Sequence, residues 1–117
     1  MASRSLHNLT LAREEILLEY PEAEVLVSKL DLASLDSVED FAYRVSKNFD
    51  SIDVLVCNAG VFRPKGRRDT PETKDGLERQ FQVNFLSHFL LTELIREKIQ
   101  NGKVINMMCR SMQNGGT

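Results

Sequence analysis

The sequence predicts an α/β protein built on a parallel sheet. Short runs rich in Val, Leu and Ile recur at 24–30, 52–57 and 103–108. Segments with helical apolar spacing precede or separate them, at 10–19, 36–48 and 76–100. Strands alternating with helices imply parallel pairing through right-handed crossovers. In such sheets ligands bind outside the carboxyl ends of the strands. Three stretches follow strand ends here: Asp31-Leu32, Asn58-Ala59-Gly60 and Cys109-Arg110-Ser111.

Each element has its own reason. In the segment 10–19 (TLAREEILLE), Ile16 and Leu17 with Tyr20 form an apolar side, and Pro21 stops the helix. The run EVLVSKL at 24–30 reads as a strand. Either Ser34 or Asp36 can cap the helix at 36–48, where Val38, Phe41, Ala42 and Val45 keep the helical period. The run IDVLVC at 52–57 is short and almost wholly apolar, the pattern of a strand buried on both faces. Residues 61–75 carry Pro64, Gly66 and Pro71 and read as a loop. A long helix over 76–100 closes at Gly102, and KVINMM at 103–108 forms the last strand. Residues 109–117 have no pattern and are expected to be disordered.

Composition narrows the function. With 117 residues, 42% hydrophobic, 27% charged and a net charge of -2, the chain suits one globular domain with a real core. That balance gives no general attraction to nucleic acid or membranes. No apolar run is long enough to span a bilayer, and no secretory signal opens the chain. Cys57 and Cys109 are too few for a disulfide framework, and neither has metal-ligand spacing. Free thiols point to a cytoplasmic protein with no metal site. The sequon Asn8-Leu9-Thr10 is without consequence there.

The strand ends resemble the short-chain dehydrogenase/reductase family. Asn-Ala-Gly after DVLV, LDLASLDSVEDFA at 30–42 and DGLERQFQVNFLSHFLLTELI at 75–95 match three of its motifs in order. Within the family the resemblance is to the branch that holds the retinol dehydrogenases and the WW-domain-containing oxidoreductases. It covers residues 2–108. It implies a partial NAD(P)-binding, Rossmann-like (doubly wound) domain over 1–108, with about three strands and three helices. The family's first strand, first helix and most of its second strand would precede Met1. In the strand order 3-2-1-4-5-6, their loss removes neighbours from the 24–30 strand and opens an edge on the 52–57 strand.

The resemblance also implies roles. Arg4 matches the basic residue that pairs with the 2'-phosphate of NADP; the plainer reading is a solvated arginine. Asp31, with Leu32 beside it, matches the aspartate that accepts from the adenine amino group; the alternative is a turn or helix-initiating residue. Asn58, Ala59 and Gly60 match the segment whose backbone lies against the cofactor ribose; a strand-ending turn at positive φ would use the same residues. Asn84 matches the asparagine that holds a water in the proton relay, or is a structural amide satisfied locally. His88 on the same helix reads as a packed histidine. Cys109 stands at the usual position of the catalytic serine, with Ser111 two residues late.

The family's glycine-rich phosphate loop has no counterpart, and the chain ends before any Tyr-x-x-x-Lys that follows that serine. Tyr43 and Lys47 have the spacing but precede Asn-Ala-Gly. The implied activity is NADP(H)-dependent hydride transfer between a small-molecule alcohol and a carbonyl, retinoid- or steroid-like, from which this chain alone is expected to be excluded. The alternative is a non-enzymatic truncated isoform that binds a protein partner, or itself, through the 76–100 helix. An independent small α/β binding module is a third reading. The basic run RPKGRRD at 63–69 reads as a solvated loop.

Overall fold

The computed structural model describes residues 1–62 and 71–108. Two parallel pairs of strands are held by a layer of helices. Strand β1 (Ala2–Ser3) pairs with β2 (Ser28–Lys29), and β3 (Val54–Cys57) pairs with β4 (Lys103–Asn106). The two pairs share no ladder: each is a two-stranded sheet of its own. Between them run α1 (Leu6–Glu19), α2 (Leu35–Asn48), α3 (Arg79–Phe81) and α4 (Ser87–Leu94).

The α/β class and parallel pairing expected from the sequence are present, with differences of extent. Helix α1 starts earlier than expected because Ser5 caps it, accepting from the Asn8 N–H. Its buried residue is Leu9, and Tyr20 is exposed rather than packed. The 24–30 strand narrows to two residues, and it keeps a neighbour: Ser28 N–H donates to the Met1 carbonyl and Leu30 N–H to that of Ser3. Of the two candidate caps of α2, Ser34 fills the position, its side chain accepting from Ser37 N–H.

The 52–57 strand is covered on one face only. Leu55 packs against the core and Cys57 is buried, whereas Val54 and Val56 are 49% and 52% exposed. Helices α2 and α4 cover the first face. Among the described residues nothing covers the second, so the expectation of burial on both faces is corrected. The edge of β3 opposite β4 is open, as the resemblance implied.

The long helix expected over 76–100 is broken into pieces. After α3 comes a π-helical turn at Gln82–Leu86, then α4, then a 3₁₀ turn at Arg96–Ile99. The wider π turn sets Gln82 and Ser87, both fully buried, five positions apart, and Leu91 and Ile95 continue the same face at the ordinary spacing of four. Gln82 is the reason such a turn is tolerated. Its Nε2 donates to Asp75 Oδ2 at 2.8 Å, and its Oε1 accepts from the Thr73 hydroxyl. Asp75 Oδ2 also accepts from the Leu35 N–H, 2.9 Å away, at the start of α2. That backbone donor, followed by Gln82, holds the Asp75 carboxyl below its usual pKa. Ser87 Oγ donates to the Leu32 carbonyl at 2.6 Å.

The core lies between α2 and the 82–99 segment. Val38 and Ala42 meet Val83, Leu91, Ile95 and Ile99, with Leu30 and Leu32 from the stretch after β2. Gly102 closes the last turn and lets β4 begin against β3. A Cβ there would lie 2.3 Å from the Ile52 carbonyl oxygen and 2.8 Å from that of Asp53. Both are backbone atoms of the segment leading into β3, so neither can yield cheaply. Gly102→Ala is expected to destabilise the chain by about 1–3 kcal/mol, the cost of overpacking a fixed site. Chemical unfolding checks this; an unchanged midpoint would contradict the close approach.

Candidate functional site

A cleft of 1190 Å³ separates the two strand pairs. That exceeds the common range for a small-ligand pocket, about 300–1,000 Å³. Its mouth lies at the carboxyl ends of β1, β2 and β3, where Arg4, Asp31, Leu32, Asn58, Ala59 and Gly60 all line it. Every cofactor-binding candidate named from the sequence therefore reaches one concave surface. Between the strands it is lined by Ala2 and by Val54–Val56.

Asp31 holds its position through a local turn. Its Oδ1 accepts from Ala33 N–H, its N–H donates to Ser37 Oγ, and its carbonyl accepts from Ser34 N–H. The helix-initiating role and the cleft position therefore coexist. One carboxylate oxygen is engaged in the turn. Among the described residues Oδ2 has no donor, and it remains able to accept from a ligand.

Gly60 is not in the left-handed region. Among the described residues only Gly76 has a positive φ, +73°. A positive-φ turn therefore does not explain Asn58-Ala59-Gly60. What the missing side chain does is keep the wall thin: a Cβ on Gly60 would already touch Asn84 Oδ1 at 3.4 Å. The backbone of this segment can approach a ligand closely for the same reason.

Asn84 lies within the π turn and clamps the segment from behind. Its Oδ1 accepts from Val61 N–H at 2.7 Å, and its Nδ2 donates to the Val61 carbonyl at 2.8 Å. Each end of the amide bonds to the same backbone residue, leaving Nδ2 a second N–H and Oδ1 a second lone pair. His88, which also lines the cleft, is half-buried. Burial pushes its imidazole pKa down, against a smaller upward pull from the Asn84 backbone. Burial likewise pushes the Cys57 thiol up, opposed by a hydrogen bond with the Thr92 side chain.

The other candidates lie elsewhere. Tyr43 and Lys47 do share a face of α2, with the lysine Nζ 5.5 Å from the ring centroid. Tyr43 is 65% exposed, and neither residue lines the cleft. Cys109, Ser111 and the basic run at 63–69 lie outside the described residues. Sequence reasoning missed Val61, Arg79 and Val83 as lining residues. Arg79 follows Glu78, which caps α3, and nothing in its local pattern marks it as facing a cleft. Among the described residues no group of three His, Cys, Asp or Glu side chains could hold a metal ion, and no helix is long and apolar enough to cross a membrane.

Comparisons with known proteins fit this geometry. The family model for short chain dehydrogenases matches residues 1–116. Retinol dehydrogenase 13 of Mus musculus is 38% identical over 112 residues, covering 92% of this chain and 32% of the relative. The WW domain-containing oxidoreductase of Gallus gallus is 34% identical over 114 residues, covering 97% of this chain and 27% of the relative. The chain thus spans about a third or less of the length of these relatives. Among solved structures, an NADPH-dependent reductase involved in bacilysin biosynthesis superposes with a TM-score of 0.74 at 23% identity, over 98% of this chain and 46% of that one.

The Asn84 clamp generates a test. Asn84→Ala removes two hydrogen bonds, each worth about 0.5–1.5 kcal/mol net. The Val61 amide is expected to exchange at least about tenfold faster in the variant, with α2 amides less affected. Hydrogen exchange followed by NMR checks this; unchanged Val61 protection would show that the amide does not hold the segment.

Proposed function

The chain belongs to the short-chain dehydrogenase family, and from that premise we propose that it forms the adenosine-binding part of an NADP(H)-dependent oxidoreductase site. The observation that carries the reading is the convergence of Arg4, Asp31, Leu32, Asn58, Ala59 and Gly60 on one cleft mouth. Arg4 suits the 2'-phosphate, where a guanidinium offers paired donors. Asp31 Oδ2 suits an adenine amino group, and the thin wall at Gly60 suits a ribose. The residues that line the cleft suit the adenosine end of that cofactor. The bound cofactor would supply the hydride exchanged between an alcohol and a carbonyl, of retinoid- or steroid-like class by kinship with the relatives above. Among the described residues no tyrosine–lysine pair lines the cleft. Asn84 in this reading positions the wall and does not itself transfer a proton. A cytoplasmic location goes with it.

The test uses 2',5'-ADP, which carries the adenosine and its 2'-phosphate without a nicotinamide. A ligand of the native state at a hundred times its Kd adds about 2.7 kcal/mol of stability. The melting temperature is expected to rise with 2',5'-ADP, to rise less with 5'-AMP, and to lose that difference in Arg4→Ala. A melt indifferent to all three would contradict the reading.

A second reading, association through the central helix, rests on a different observation. Phe81, Phe85 and Phe89 form an exposed ladder, with ring centroids 5.7 and 6.3 Å apart in succession. A contiguous aromatic stripe of this kind marks an interaction surface. We propose that a second copy covers it. Phe85→Glu is expected to shift sedimentation toward monomer; a wild-type chain that sediments as monomer at high concentration would rule the contact out.

A further inference from the structure

Two segments that line the cleft, Asp31–Ala33 and Asn58–Val61, are joined by residues that do not line it. The bridge is the π turn. At its start Gln82 Nε2 donates to Asp75 Oδ2, which also accepts from the Leu35 N–H. Just past its end Ser87 Oγ donates to the Leu32 carbonyl. Both connections lead to the Asp31 side. Between them in the chain, Asn84 bonds the Val61 backbone on the other side. The directions of these three side chains depend on the π turn, because each residue advances a helix by about 100°.

The Asp31 turn is built on the start of α2. Ser37 Oγ accepts from the Asp31 N–H at 2.9 Å, and the Asp31 carbonyl accepts from the Ser34 N–H at 3.1 Å. Leu35 is the first residue of that helix, where an N–H has no intrahelical partner. Asp75 supplies one. Its carboxylate is set in advance by a closed turn: Thr73 N–H donates to the Leu77 carbonyl at 2.8 Å, and Gly76 N–H to the Thr73 carbonyl at 3.0 Å. Gly76, at a φ of +73°, completes that turn in a conformation that other residues rarely adopt. Lys74 and Asp36 pair across the same two segments at 3.1 Å, but both are exposed and contribute little.

We infer that Asp75 is a positioning residue for the adenosine site, fixing the Asp31 turn to the π turn and, through Asn84, to the Asn58–Val61 segment. This role rests on the adenosine reading of the cleft mouth. Asp75 touches no ligand in it. Without the carboxylate, a ligand has to order both segments itself, and that cost weakens binding.

Two readouts on the full chain test this: amide hydrogen exchange without ligand, and affinity for 2',5'-ADP. In Asp75→Ala the amides of Ala33 and Val61 are expected to exchange at least about fivefold faster. The reference amides are Lys103 and Met107, which bond the carbonyls of Asp53 and Cys57 and are expected to change little. The Kd for 2',5'-ADP is expected to rise by at least about fivefold as well. A loss of stability alone would speed all four amides alike. Leu35→Pro reaches the same bond from its other end. It deletes the N–H that Asp75 accepts, at a first helical position that suits proline and after a residue already extended, Ser34 with φ -140° and ψ 112°. It is expected to reproduce both effects, whereas Leu35→Ala, which keeps the N–H, produces neither. In an Asn84→Ala background the effect of Asp75→Ala on affinity is expected to shrink, because both act on the Val61 segment. Uniform exchange, or an unchanged Kd in variants of a wild type that binds 2',5'-ADP, overturns the inference while the adenosine reading stands. A wild type that binds no 2',5'-ADP defeats the adenosine reading, and the role of Asp75 falls with it. If Asp75→Ala does not fold, Leu35→Pro against Leu35→Ala decides.

Discussion

The arrangement of this chain depends on the packing of α2 against the helix that carries the π turn. The two strand pairs exchange no hydrogen bond, so no ladder fixes one relative to the other. What fixes them is the apolar contact of Val38 and Ala42 with Val83, Leu91 and Ile95, to which Leu30 and Leu55 attach the two pairs. Full burial of a side chain such as Val38 or Ile95 contributes about 1.5–3 kcal/mol. That is large beside the total stability of a small domain, about 5–15 kcal/mol. Polar contacts set the register of the same interface. Asp75 ties the start of α2 to Gln82, and Ser87 ties α4 to the Leu32 carbonyl. A helix that was α-helical throughout would not place Gln82 and Ser87, five positions apart, on the same buried face.

The candidate site inherits its shape from that layer. Because the helices hold the strand pairs apart, the space between them stays open and its walls are strand edges and strand ends. The π turn then sets Asn84 beside the segment that follows β3, where its amide fixes Val61 and with it Asn58–Gly60. Arg4, Asp31, Leu32 and Asn58–Gly60 line that cleft together.

The sequence carried the local elements well where capping and periodicity agreed. Ser34 before a clear 3.6-residue pattern located α2 to within a residue, and the apolar runs located β3 and β4. It also brought Arg4, Asp31, Leu32 and Asn58–Gly60 to one place, because strand ends of a parallel sheet converge whatever the intervening chain does. It misjudged features decided by tertiary surroundings. The exposure of Val54 and Val56 depends on whether a helix covers that face, and an apolar run reads the same either way. The π turn depends on Gln82 finding Thr73 and Asp75, partners in a loop that carries no periodic signal. The position of Arg79 in the cleft wall depends on how α3 is anchored through Glu78, which a single sequence does not display.

The central claim is that the helix layer alone holds the two strand pairs at a fixed separation. Spin labels placed on the exposed positions Lys29 of β2 and Lys103 of β4, in a Cys109→Ser background, would report that separation by pulsed electron resonance. The account predicts one narrow distance distribution in the wild-type core, broadened when Val38→Asp weakens the α2 contact. A broad distribution in the wild-type core would contradict it, because the strand pairs would then move independently and no single cleft would exist between them.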